Sequence, residues 1–169
     1  MLRLIIGALI TLSLVLGPLG TLAAELRIGT ADPDAILAGS PEGKRVQDAI
    51  KQKTDELGRP LGTKRQDLGR QVEEFQKQAG MMKEDARRVK AQELEKKMAD
   101  FDRQAADAEK QLNQFKENQL APLSRKMETA LEQVAKEEKL DMILDHRLVL
   151  YLSNKAMNVN DKVRAKFMQ

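Results

Sequence analysis

The 169-residue chain contains no cysteine and no tryptophan, one tyrosine (Tyr151) and one histidine (His146). Without cysteine there is no disulfide, and no acylation site for a lipid-anchored N-terminus. With one histidine as well, metal sites built from nitrogen or sulfur donors lack their ligands. His146 stands beside Asp145, but acid–base catalysis would also require a nucleophile and an oxyanion hole, and the sequence suggests neither. A strong charge bias is missing too. There are 29 Lys+Arg against 26 Asp+Glu, a net +3, with a pI near 9.1. The two signs are interspersed, whereas a duplex binder concentrates its positive charge; no nucleic-acid partner is expected. Stability must come from packing and self-association.

The one strongly apolar stretch is at the start. Arg3 precedes Leu4–Leu16, which Gly17-Pro18 closes, and Thr21-Leu22-Ala23-Ala24 supplies small residues. This is the pattern of a secretory signal peptide spanning residues 1–24. Its apolar run is short for a bilayer span of about 20 residues. Removal would leave 28 basic against 26 acidic side chains, a net +2. An uncleaved inner-membrane anchor is the competing reading.

Most of the remainder is heptad-like. Val46, Ile50, Leu57, Leu61, Leu68, Val72, Phe75, Ala79, Met82, Ala86 and Val89 form one apolar series. Leu94, Met98, Phe101, Ala105, Ala108, Leu112 and Phe115 form a second. Steps of three, four and seven lay a narrow stripe along a helix, the seam of a coiled coil. Such a helix can pair with one neighbour while its charged faces stay in water. Residues 41–118 are therefore expected to form a helical-hairpin arm with its tip near 80–83, where Gly80 breaks the pattern. A mirror point near residue 81 would set residue 42 opposite residue 120. The step of five from Val89 to Leu94 is irregular and could instead mark the tip. Gly58, Pro60, Gly62 and Gly69 interrupt the first arm, which reads as a continuous but bent helix with a soft point near Leu57–Gly62; two helices joined by a short loop are the alternative.

Residues 25–40 and 119–169 form the body. Leu26–Thr30 alternates as a short strand, and Ala35–Leu37 can make one helical turn. Ser40-Pro41-Glu42 combines a side-chain cap, a proline at the first helical position and an acid in the first turn, so a helix starts at Pro41. Beyond Pro122, Leu123, Met127, Leu131 and Val134 continue as a helix to about Lys139. Met142-Ile143-Leu144 and Leu148–Leu152 read as two strands of a hairpin around Asp145-His146-Arg147. Asn158–Asp161 can cap a last helix carrying Val163 and Phe167. This body is below the size at which one core usually suffices, and Leu148–Leu152 is apolar on both strand faces. Both points favour self-association through the strand-bearing end, by Ile28, Ile143, Leu148, Leu150 and Leu152.

Gly39-Ser40-Pro41-Glu42-Gly43-Lys44-Arg45 looks like a phosphate-binding loop but has three residues between its glycines instead of four, and Arg45 where Ser or Thr is needed. Helix capping accounts for it, and no nucleotide or other cofactor is expected. At the tip, Met81 and Met82 offer adaptable apolar contact, although Met82 could simply close the seam. Lys77–Lys97 holds seven basic and four acidic residues.

The order of these parts resembles the Skp/OmpH family of periplasmic chaperones. The match is carried by the signal peptide, the short strand, Ser40-Pro41-Glu42-Gly43-Lys44 opening a long hairpin, and Pro122 at its base. Leu144-Asp145, Leu150-Tyr151 and Asn158-Val159-Asn160-Asp161 complete it. The chain departs from the family at Gly58-Pro60-Gly62, and at Met82-Lys83-Glu84, which offers no Ser or Thr cap after the turn. The resemblance implies an α+β, mainly α fold: a long antiparallel coiled-coil hairpin projecting from a small strand-containing body, assembled as a homotrimer. It implies a non-enzymatic, ATP-independent holdase in the periplasm that keeps unfolded outer-membrane β-barrel proteins between its arms and delivers them for assembly. Met81, Met82, Arg87, Arg88 and Lys90 are the candidate client-binding residues, with an anionic membrane surface as a further partner of the tip. The alternative is a coiled-coil adaptor anchored in the inner membrane by its uncleaved first segment.

Overall fold

The computed structural model describes residues 25–152 and 156–169; the expected export signal, residues 1–24, lies outside them. The fold is mainly helical with a small strand-containing region. In chain order it comprises β1 (Ile28–Ala31), α1 (Pro33–Gly39), α2 (Pro41–Gln78), α3 (Glu84–Glu138), β2 (Met142–Asp145), β3 (Met157–Asn158) and α4 (Asn160–Phe167).

Local chemistry explains most of the boundaries. Asp32 caps α1 by accepting the Ala35 N–H at 2.9 Å, and Pro33 takes the first helical position. The Ser40 hydroxyl donates to the Leu37 carbonyl at 2.7 Å and accepts the Gly43 N–H at 2.9 Å. One side chain thus ends α1 and starts α2, which is why the loop-like stretch 39–45 is a capped helix start. Between α2 and α3 lie a 3-10 turn (Ala79–Met81) and Met82-Lys83. α3 ends on Lys139, whose left-handed conformation (φ 53°) lets the Leu140 N–H reach back to the Ala135 carbonyl at 2.9 Å.

α2 runs 38 residues without a break through Pro60, so no loop divides it. α3 runs 55 residues and carries Pro122 inside it; the arm and the helix expected beyond Pro122 are one element. At 1.5 Å per residue their lengths are roughly 57 and 82 Å. α3 returns along α2 in the opposite direction. Lys126 meets Glu42 at 3.0 Å, Lys64 donates to Gln104 at 2.9 Å, and Lys97 donates to Gln71 at 2.8 Å. Residue 42 therefore faces residue 126, not residue 120.

The sheet differs from the expected hairpin. Its order is β2-β1-β3, and both neighbours run parallel to β1. Leu148–Leu152 is not a strand. After β2 the chain enters a 3-10 turn (His146–Leu148), in which the Asp145 carboxylate accepts from the Arg147 N–H at 2.9 Å. That turn does not reverse the chain onto β2, and the second edge of β1 is taken by Met157–Asn158 instead.

The core is confined to the body. Leu123, Met127, Ala130 and Val134, spaced by four, three and four, line one face of α3 and pack with Ile36 of α1 and with Val159, Val163 and Phe167 around α4. Lys126 bridges the base: it pairs with Glu42 and stands 5.2 Å above the Phe167 ring. At the α1–α2 junction a Cβ on Gly43 would run into the Leu37 carbonyl and lie 3.0 Å from the Ser40 hydroxyl. Gly69, inside α2, has nothing within 4 Å of such a Cβ. Gly43→Ala should therefore destabilise by about 3 kcal/mol through overpacking against backbone, while Gly69→Ala should stabilise by about 0.5–1 kcal/mol. Thermal melts of the two variants check this; equal effects would contradict it.

Candidate functional site

The helix pair α2–α3 has little dry interior. Between its base and tip only Leu68 and Leu94 are buried. Along the arm part of α3, half-buried Lys90, Lys97, Phe101, Ala105, Ala108, Leu112 and Phe115 line up with buried Leu94, so the stripe keeps steps of three and four by passing through Lys90. This removes the five-residue irregularity: Val89 points outward, 61 % exposed. Lys53, Lys64 and Gln71 hold similar half-buried places on α2. Lysine can occupy such a site because its methylene stem packs while the ammonium reaches water or a partner. Lys97 reaches Gln71 and Lys64 reaches Gln104, and Arg65 lies 5.7 Å over Phe101. These polar seam residues were missed in the sequence because apolar periodicity alone was followed.

With lysines in the seam, apolar side chains are left on its flank. Val72, Phe75, Ala91, Leu94, Met98 and Ala99 line an open groove walled by Gln76, Glu95 and Asp102. Met98 is half exposed. The groove has the chemistry to accept apolar side chains of an extended segment, with carboxylates and amides at its rim to meet polar backbone.

At the tip, Met81 ends the 3-10 turn and is 84 % exposed, while Met82 is half-buried. Arg87, Arg88 and Lys90 lie in the first two turns of α3, but they do not form a bare cationic patch. Arg87 pairs with Glu84, Arg88 lies 3.8 Å from Asp85, and Lys90 and Lys97 hold Glu93 at 3.0 and 2.6 Å. Lys83 and Lys96 make no ion pair among the described residues. The hydrogen bonds from Lys97 and Lys90 lower the Glu93 carboxyl to a pKa of about 2.

The second open surface is on the body. Register pairs Ile28 with Met142 and Thr30 with Leu144, so these share one sheet face. Met142 and Leu144 remain exposed there, and the run that follows is more so: Leu148, Leu150 and Tyr151 stand almost wholly in solvent. Leu152 and Ile28 are half-buried. Ile143 turns the other way and packs on the core, so it does not join Leu148 and Leu150. Met142, Leu144 and Tyr151 extend this surface beyond the residues singled out from the sequence; the continuous apolar run Met142-Ile143-Leu144, apolar on both strand faces, carried the signal for the first two. His146 is exposed, and the neighbouring carboxylate serves Arg147, which lowers Asp145 to a pKa of about 2. Among the described residues no group of His, Asp or Glu is arranged to hold a metal ion.

Glu93 gives this arm a titration signature. Because its folded pKa is depressed, its contribution to stability is present above the ordinary value of about 4.5 and is lost as pH falls towards about 2. The melting-temperature difference between the parent and Glu93→Gln should shrink through that window and vanish below it. A difference independent of pH would show that Glu93 does not tie Lys90 to Lys97.

A family model described as outer membrane protein (OmpH-like) matches residues 27–167. Among solved structures, a proposed outer membrane chaperone, OmpH-like, from Caulobacter crescentus CB15 is similar to the chain. It is 22 % identical, with 85 % of each chain covered and a TM-score of 0.62; at that identity the likeness is one of fold. No curated protein matches the chain. The family match spans the body and both long helices, and the chain belongs to the OmpH-like family of outer membrane proteins.

Proposed function

We propose that the protein is an ATP-independent holdase of the periplasm, exported by removal of residues 1–24. It would bind unfolded outer-membrane β-barrel proteins, keep them from aggregating and release them for assembly. Family membership supports a chaperone role in general. The observation that carries the specific reading is the incomplete burial along α2–α3: an antiparallel coiled coil whose seam is part lysine leaves Val72, Phe75, Met98 and Met81 available on a projection. An unfolded β-barrel chain offers alternating apolar side chains and unpaired strand edges, which such a surface can contact weakly at many points. No step is catalytic, and the only nucleotide-like loop is spent on capping α2.

Self-association completes the reading. Three copies joined through Ile28, Met142, Leu144, Leu148, Leu150 and Leu152 would cover the open sheet face and bring three arms around one cavity. Weak contacts from three arms combine by effective concentration, so capture can be firm while each contact stays releasable. The net positive tip, with Arg87 and Arg88, would draw in acidic segments or an anionic membrane surface within a Debye length, roughly 8–10 Å at physiological salt.

Light scattering of a urea-diluted outer-membrane β-barrel protein tests the holdase reading. The protein should suppress the client's aggregation near stoichiometric ratios, without nucleotide; no suppression at any salt concentration would overturn the proposal. Arg87→Glu with Arg88→Glu should slow capture at low salt more than it speeds release, because long-range charge acts on encounter. Capture at the parental rate would make the tip charges a solvated face only. Leu150 is fully exposed in the single chain, so Leu150→Asp costs the isolated fold nothing yet buries a charge on assembly, a penalty of several kcal/mol. The variant should sediment as a monomer with parental helicity; parental mass would contradict the interface.

A further inference from the structure

The apolar run after β2 is tied to the body by charge. Leu148, Leu150 and Tyr151 are 81 %, 104 % and 84 % exposed, so within the run only half-buried Val149 and Leu152 add packing that fixes its direction. The polar contacts converge on Arg147, in the middle of the turn from which the run departs. Its Nη2 and Nε donate to Asp145, at the end of β2, at 2.7 and 3.1 Å. Its Nη1 donates to Asp34, in the first turn of α1, at 2.6 Å, and its Nε lies 3.7 Å from Asp32, the α1 cap. Asp145 is register-paired with Ala31 at the C-terminal ends of two parallel strands. Three carboxylates, two at strand ends and one in the first turn of α1, therefore meet around one cation, and without it they would repel one another. Asp32 is constrained further, since its N–H donates to the Asn160 side-chain oxygen at 2.6 Å. A planar guanidinium can serve several carboxylates in one geometry, which a lysine ammonium on its flexible stem cannot do as well.

We infer that Arg147 is a positioning residue for self-association: shared among Asp145, Asp34 and Asp32, it sets the direction in which Leu148–Leu152 leaves the body and so presents that run to a second copy of the chain. This rests on the self-association proposed above. Exposed ion pairs add little to the stability of a fold, so the cluster matters less for whether the chain folds than for where an uncovered segment points. Ordering that segment beforehand removes part of the entropy cost of association.

Sedimentation over a concentration series tests this on the parent, Arg147→Ala, Arg147→Lys and Asp34→Asn. Arg147→Ala should raise the dissociation constant of the assembly about tenfold or more, the scale of ordering a few side chains and a loop. Asp34→Asn should weaken assembly less, and Arg147→Lys should restore only part of what alanine loses. Helicity should stay parental in all three. Added salt should weaken assembly of the parent and leave Arg147→Ala unaffected, a signature that a general loss of fold would not give. Parental dissociation constants in Arg147→Ala, or full restoration by lysine, overturn the inference. Should the alanine variant fail to fold, parental constants in both Asp34→Asn and Arg147→Lys overturn it. A parent that is monomeric at every concentration overturns self-association itself, whereas an assembling parent with insensitive variants overturns only the role of Arg147.

Discussion

The last third of α3 packs against α1 and α4, and the remainder of the molecule hangs from that contact. Leu123, Met127, Ala130 and Val134 meet Ile36, Val163 and Phe167 in the one extended dry region among the described residues. Everything beyond Val46 and before Leu123 extends away from it with two buried side chains, Leu68 and Leu94. The Lys126 ammonium, set between Glu42 and the Phe167 ring, ties the base of the helix pair to this core. The Ser40 hydroxyl fixes the corner where α1 hands over to α2. A long projection can be held this way because its own helices need only one partner each.

The same economy leaves the projection partly apolar at its surface. A seam that alternates leucine and phenylalanine with lysine and glutamine keeps two helices in register through specific polar contacts, at some cost in stability. It also leaves apolar groups at its flank that a fully apolar seam would have drawn in. The body shows the complementary situation: one sheet face is covered by helices, while the other keeps Met142 and Leu144 exposed and continues into Leu148, Leu150 and Tyr151.

The parts of the fold governed by local chemistry were legible in the sequence. Ser40-Pro41-Glu42 announced the start of α2, the spacing of Leu123 to Val134 announced the buried face of α3, and Asn158–Asp161 stood at the start of α4. Register was not legible. A heptad stripe repeats every two turns, so sliding one helix by about that much preserves the pattern. The choice is made by Glu42 with Lys126, Lys64 with Gln104 and Gln71 with Lys97, long-range pairs between residue types that are common all along both helices. Leu148–Leu152 was misread as a paired strand because a continuous apolar run looks the same in sequence whether it pairs in a sheet or lies open at the surface. The true edge strand, Met157–Asn158, is two residues long and too short to give a periodic signal. At the candidate site, Met81 was legible as an exposed tip residue. The pairing of Arg87 and Arg88 with Glu84 and Asp85 was present as i, i+3 spacing but was outweighed by the excess of basic residues. Lys90 and Lys97 were not legible as seam residues, since lysine signals solvent.

The account turns on whether the open face of the body is closed by further copies while the arms stay free for a client. Multi-angle light scattering of the exported form, alone and with one unfolded outer-membrane β-barrel protein, measures both at once. The account predicts a particle of three chain masses that gains the mass of one client without changing its own chain number. A particle of one chain mass that binds no client at any concentration would contradict it.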